Sequence, residues 1–127
     1  MTFQRHFTNT PWEPKVGYCR ALRAGNSIYL SGTAPINDDG NTFAPGDAYA
    51  QARRCFEIIQ ATLAAMDAGL RQVVRTRMYV TDISQWEAFG KAHQEFFGDY
   101  PPVTSMVEVK GLISPDMLIE VEAEAIA

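Results

Sequence analysis

Strict alternation near the C-terminus is the clearest pattern in this chain. In residues 117–125, Ile119, Val121, Ala123 and Ala125 point one way and Glu120, Glu122 and Glu124 the other, because successive strand side chains face opposite sides of a sheet. Residues 73–81 alternate in the same manner, with Val74, Thr76, Met78 and Val80 against Arg75, Arg77 and Tyr79. A further β-type run follows Pro101-Pro102 and is separated from the last one by a turn containing Pro115. Residues 18–24 and 27–31 are joined by Gly25-Asn26, adjacent turn formers that predict a β-hairpin. Residues 3–8 read as a short strand, and residues 35–46 (PINDDGNTFAPG) as a loop on composition.

Two stretches carry the helical period. Ala52, Cys55, Phe56, Ile59, Leu63 and Met66 recur at 3, 1, 3, 4 and 3 residues, one face of a helix about six turns long. Asp47 is placed to cap its start, and Gly69 to end it in a left-handed conformation. Ser84-Gln85-Trp86-Glu87 reads as a capping box. It opens a second helix with Trp86, Phe89, His93, Phe96 and Phe97 on one side, stopped by Pro101-Pro102.

The predicted order is β-β-β-α-β-α-β-β in a single domain spanning residues 1–127. Helical connections of this length permit crossovers, so the pattern predicts an α+β fold: one mixed sheet with both helices on one face. The other face then carries the polar side of each strand: Glu120, Glu122 and Glu124, Arg75, Arg77 and Tyr79, Thr104, Met106 and Glu108, and Tyr29 and Ser31. Charges interleaved with tyrosine and methionine are typical of subunit contacts. A homo-oligomer whose bare sheet faces pack together is the expected assembly.

Composition narrows the function. The chain has 127 residues, 46% of them apolar, a net charge of −4 and a pI near 5.1. An acidic balance argues against a general nucleic-acid surface. No apolar run approaches the ~18 residues of a membrane span, and residues 1–6 lack the apolar core of a signal peptide. A cytoplasmic location is the expectation. The two cysteines, Cys19 and Cys55, make no disulfide framework. Cys55 lies on the apolar helix stripe as a core residue, whereas Cys19 fits either core or pocket lining. With only His6 and His93 and no cluster at ligand spacing, no metal site is expected.

Nothing suggests nucleophilic catalysis or a phosphate-cradling loop. His93 lies on an apolar stripe, where a packed histidine is the plainer reading than a catalytic one. Glu120 is the sharper candidate. Like charges two residues apart on a strand sit roughly 6.5–7 Å apart, and Glu120 begins this ladder nearest the Pro115 turn, at a sheet end. A half-buried carboxylate there serves as a general base on water. The alternative is that all three glutamates pair with Arg75 and Arg77 across the sheet. Tyr18, after Gly17, either packs or faces a pocket. Trp12-Glu13, between Pro11 and Pro14, reads as an ordered loop that lines a site or covers the core.

These motifs together resemble the RidA/YjgF family of small trimeric imine/enamine deaminases. Gly17-Tyr18 and residues 25–32 (GNSIYLSG) resemble its N-terminal hairpin. Gln51-Ala52-Arg53 with Asp67-Ala68-Gly69-Leu70 resembles its first helix, and residues 74–82 its central strand. Residues 105–109 (SMVEV) and 119–123 (IEVEA) resemble its C-terminal signature. The resemblance covers nearly the whole chain. It implies a chorismate-mutase-like fold, a homotrimer and clefts between subunits. In deaminating members an arginine just before the Ser-x-Val-Glu run holds the substrate carboxylate, a bidentate task. A glutamate matching Glu120 positions water, and a tyrosine matching Tyr18 and the amide matching Met106 shape the site.

Here the arginine position is Thr104, which cannot replace a guanidinium fork. The chain therefore resembles a family branch lacking this arginine, with Arg20 as a candidate cation from another direction. Ser31, Trp12 and Phe89 complete the candidate pocket. The resemblance implies a small-metabolite hydrolase in which Glu120 activates water on an imine or enamine other than a free 2-imino carboxylate. The alternative is a trimer of the same fold that binds a small ligand without turnover. RNA cleavage, a label often attached to the family, finds no phosphate-binding run. The expected partners are a small molecule and further copies of the chain, with no cofactor, nucleic acid or membrane.

Overall fold

A computed structural model describes residues 2–127. Six strands form one sheet: β1 (Phe3–His6), β2 (Ala21–Ala24), β3 (Ser27–Thr33), β4 (Val73–Val80), β5 (Val103–Glu108) and β6 (Ile119–Ile126). Their spatial order is β1-β2-β3-β6-β4-β5. All neighbours are antiparallel except β4 and β5. Helix α1 is Trp12–Val16, α2 is Ala48–Ala65 and α3 is Trp86–Phe97. The crossover β4-α3-β5 accounts for the parallel pair, since parallel strands need a long connection. This is the α+β architecture that the alternation and helical periods predict.

The core lies between the sheet and α2 with α3. Ile28, Val80, Ile119 and Val121 from the strands meet Cys55, Phe56, Ile59, Leu63 and Phe89 from the helices, all fully buried. Side chains of this size each contribute about 1.5–3 kcal/mol when buried. Among the described residues no element covers the opposite face of the sheet. One row across it reads Arg5, Leu22, Tyr29, Glu124, Arg75 and Val103 in register, with Tyr29 exposed.

Several local readings are corrected. Trp12-Glu13 opens the short helix α1 rather than a loop, and β1 and β2 are shorter than residues 3–8 and 18–24. Asp47 does cap α2, accepting from the Ala50 amide at 3.0 Å. Gly69, however, is extended (φ −141°). The left-handed residue after α2 is Asp67, φ 58°. Ser84 is not the cap of α3: Asp82 accepts from the Ser84 amide at 3.0 Å and hydroxyl at 2.6 Å, capping a 3₁₀ turn over Ile83–Gln85. In β4 the bulge opposite Ala125 and Glu124 inserts Val74, so Val73 takes the core position and Val74 faces out.

The most consequential correction concerns β5. Thr76 pairs with Thr104 and Met78 with Met106, and in-register neighbours share a face. Thr76 and Met78 are buried on the helix side. Thr104, Met106 and Glu108 therefore lie on that side, and Val103, Ser105 and Val107 on the open one. An edge strand exposed on both faces carries no apolar/polar contrast from which its phase could be read.

Candidate functional site

The carboxylate ladder on β6 is resolved into three different environments. Glu124 lies 3.7 Å from Arg75 and 3.5 Å from Arg77. Glu122 accepts from the Tyr79 hydroxyl at 2.5 Å, which raises the Tyr79 pKa above its ordinary value. Glu120 has neither partner. It is half-buried, and burial pushes its carboxyl above the ordinary value. The Arg20 charge opposes that rise and the Glu122 charge adds to it. The pairing expected for all three glutamates therefore holds for Glu124 alone.

Local geometry explains the singular position of Glu120. The β3–β6 register shifts between Leu30 and Thr33, leaving Ser31 and Gly32 in a bulge. A Cβ on Gly32 would stand 2.9 Å from Glu120 Cδ and 3.0 Å from Oε1. Glycine here makes room for the carboxyl. Arg20 closes the other side, with its Nη2 donating to the Gly32 carbonyl at 2.6 Å. Arg20 is only 9% exposed and its Nε has no hydrogen-bond partner. It also makes no ion pair among the described residues. A buried cation so placed is costly unless opposite charge is near, and Glu120 and Glu13 both feel it.

Next to this pair opens a cleft of about 960 Å³ lined by Phe7, Pro11, Tyr18, Cys19, Tyr29 and Ser31, among others. Ser31 lines the cleft, and the next residue, Gly32, touches the Glu120 carboxyl. The Ser31 hydroxyl donates to the Cys19 carbonyl at 2.7 Å, and the Tyr18 ring lies 5.8 Å from the Arg20 guanidinium carbon. Glu13, 2% exposed, holds the cleft wall. It accepts from the Thr8 amide at 3.0 Å, the Thr8 hydroxyl at 2.5 Å and the Thr10 hydroxyl at 3.2 Å. Burial raises its pKa, but these bonds and Arg20 outweigh that and leave it below the ordinary value.

Tyr18 and Ser31 line the cleft, whereas Glu120 and Arg20 meet at Gly32, one residue beyond Ser31, and are not themselves among its lining residues. Phe89 is a core residue with no exposure, because it faces inward from α3. Trp12 is half exposed beside Lys15 and is not among the residues lining the cleft. Thr104 and Met106 lie on β5, three strands from β3, about 14 Å away at the usual strand spacing. Within one chain they cannot share a pocket with Tyr18 and Ser31.

Sequence reasoning gave no role to Gly32 or Gln51, while Glu13, named with Trp12 as lining a site or covering the core, lines the cleft. Gln51 is fully buried, donates to the Asp116 carbonyl at 2.9 Å and accepts from the Leu118 amide at 2.8 Å. It ties α2 to the start of β6 and so sets where Glu120 sits. Its place one turn before Cys55, beside the apolar stripe of α2, was the available signal.

Comparison with known proteins places this geometry. The family model described as endoribonuclease L-PSP matches residues 8–127. Rv2704 of Mycobacterium tuberculosis, a structure of the YjgF/YER057c/UK114 family, superposes with a TM-score of 0.90 at 40% identity, covering 99% of this chain and all of that one. The YjgF gene product of E. coli gives 0.78 at 31% identity, covering 86% and 87%. Among sequences, the 3-aminoacrylate deaminase RutC of Acinetobacter baylyi is 31% identical over 112 residues, 88% of each chain. The chain belongs to the YjgF/RidA family.

Proposed function

We propose that this protein is a homotrimeric hydrolase of a small imine or enamine. The bare sheet face and the cleft beside it meet neighbouring copies, and β5 of one copy closes the cleft of another. That arrangement is the way for Thr104 and Met106 to reach a site that one chain keeps about 14 Å from them. The name of the RutC relative supports deaminase-type chemistry. The observation that carries the reading is Glu120: the one carboxylate of the ladder without a hydrogen-bonding or ion-pair partner, half-buried, raised in pKa and packed against Gly32, the chain neighbour of cleft-lining Ser31.

The chemistry follows from that environment. A base whose pKa is moved toward neutrality is better matched to abstracting a proton from water. Water adds to the C=N carbon while Glu120 takes its proton. The same carboxyl returns that proton to nitrogen, giving a carbinolamine; it then relays the carbinol O–H proton to nitrogen as the C–N bond breaks and the C=O bond forms, and ammonia and a carbonyl compound leave. An enamine is first protonated at carbon. Arg20 holds the bulge through the Gly32 carbonyl, and its charge opposes the rise in the Glu120 pKa. Thr104 supplies no cation, so free 2-imino carboxylates are poor substrates.

The test is turnover of imines released by an amino-acid or amine oxidase, with semicarbazide as the competing trap. Glu120→Gln folds and assembles but does not hydrolyse the imine the wild type uses. Light scattering gives three times the 14.1 kDa chain mass. A dilution-independent monomer, or full turnover by Glu120→Gln, refutes the proposal. One observation favours a second reading, a ligand-binding trimer without turnover: buried Arg20 has a spare Nε donor that would hold an anion without chemistry. Thermal stabilisation by small carboxylates, with no imine hydrolysed, selects it.

A further inference from the structure

His93 and Thr76 form a hydrogen-bonded chain that ends at the surface. His93 Nε2 lies 2.7 Å from Thr76 Oγ1, and Thr76 Oγ1 lies 2.7 Å from Thr104 Oγ1. Thr76 is fully buried and Thr104 is exposed on the edge strand. The imidazole is held between the rings of Phe56 and Phe97, at centroid distances of 5.5 and 4.7 Å. A hydroxyl has one proton to give. With Thr76 donating to Thr104, His93 must donate from Nε2, and the Thr104 proton is left for a third partner. Every form of His93 that carries a proton on Nε2, the cation included, enforces this outward sense. The sense of the chain is therefore set by whether Nε2 of His93 carries a proton.

We propose that His93 and Thr76 are positioning residues which make Thr104 an outward hydrogen-bond donor for a neutral carbonyl or amide oxygen of the substrate. The inference rests on the reading that β5 of one copy closes the cleft of another. Thr104 then selects substrate class: a lone neutral donor satisfies a neutral acceptor, whereas a carboxylate would bring a full charge to a position with no guanidinium.

Two measurements test it. The chain contains only two histidines, His6 and His93, so ring nitrogen NMR with a His6→Gln control assigns His93 directly. A proton on Nε2 in the wild type, perturbed by Thr76→Val, is expected; a neutral ring protonated on Nδ1 alone overturns the proposal. In the kinetic arm, imines of amino-acid amides are compared with imines of the free amino acids. Thr104→Val and Thr76→Val each lower kcat/KM for the amide-derived imine by roughly two- to tenfold, as for a neutral hydrogen bond. Thr104→Ser recovers most of that loss. Thr104→Val is at an exposed position and tests the idea even where Thr76→Val folds poorly. Unchanged amide-to-acid selectivity in Thr104→Val overturns it. If the wild type hydrolyses no imine at all, it is the hydrolase reading that fails, and the ring NMR still decides the chain.

Discussion

Replacing Gly32 by alanine probes Glu120 without touching it. The added Cβ would stand 2.9 Å from Glu120 Cδ, 3.0 Å from Oε1 and 3.3 Å from Cγ, whereas ordinary contact begins at 3.4 Å, so the carboxyl must retreat by about half an ångström. Gly32 is not among the residues with positive φ, so alanine brings no backbone strain. A misplacement of about 1 Å costs on the order of a hundredfold in rate. Taken as linear in barrier height, half of that costs about tenfold in kcat. KM should change less, because the cleft wall and Arg20 stay in place. Gly69→Ala is the control: its backbone is extended and a Cβ there meets nothing within 4 Å. The assay is the oxidase-coupled imine release on whichever imine the wild type hydrolyses, with melting curves to confirm folding. A folded Gly32→Ala with wild-type kcat would refute the reasoning, since the carboxyl could not then be the base.

Other substitutions have signs set by the same environments. Glu120→Gln should melt no lower than wild type above neutral pH: the folded pKa is raised, so the cost of ionising Glu120 is absent below the ordinary carboxylate value, grows between it and the raised one, and is complete above that, and the amide escapes it. Wild type should lose this disadvantage on acidification, read as converging melting temperatures. Glu13 behaves oppositely. Its folded pKa is depressed, so its contribution is fully present above the ordinary carboxylate value and lost as pH falls through the folded one. Glu13→Gln should cost about 1–3 kcal/mol at pH 7 in urea unfolding. Gly90→Ala, inside α3 with open space at the Cβ, should stabilise by about 0.5–1 kcal/mol, or about 2–5 °C.

Most of the fold was legible because its signals are collective. Six apolar positions at helical spacing define α2, and alternation over many residues defines β4 and β6; no single misreading disturbs either. What failed rested on single residues. Gly69 and Ser84 each fit a capping rule, but Asp67 two residues earlier takes the left-handed backbone, and Asp82 two residues earlier has the better acceptor for the turn. Phe89 was read correctly as part of the helix stripe and wrongly as a pocket candidate. The stripe and the pocket are on opposite sides of the sheet, so one residue cannot serve both.

The site was legible only in part, and the ladder shows why. Alternation alone makes Glu120, Glu122 and Glu124 equivalent. In the fold Tyr79 stands opposite Glu120 in register, yet its hydroxyl reaches diagonally to Glu122. Arg75 stands opposite Glu124, and Arg77, in register with Glu122, also reaches Glu124. Tyr79 and Arg77 each lean one step along the strand, away from the Glu120 end, and that end is left without a partner. On the β3 side the bulge sets a glycine, with no side chain to offer, against the same carboxyl. The nearest cation, Arg20, gives its Nη2 to a backbone carbonyl. Three independent absences isolate Glu120, none of them visible in the spacing of the glutamates. The second of them follows from the shift in the β3–β6 register, so a substitution that moved the β3 bulge would change what stands against Glu120 and its reactivity together.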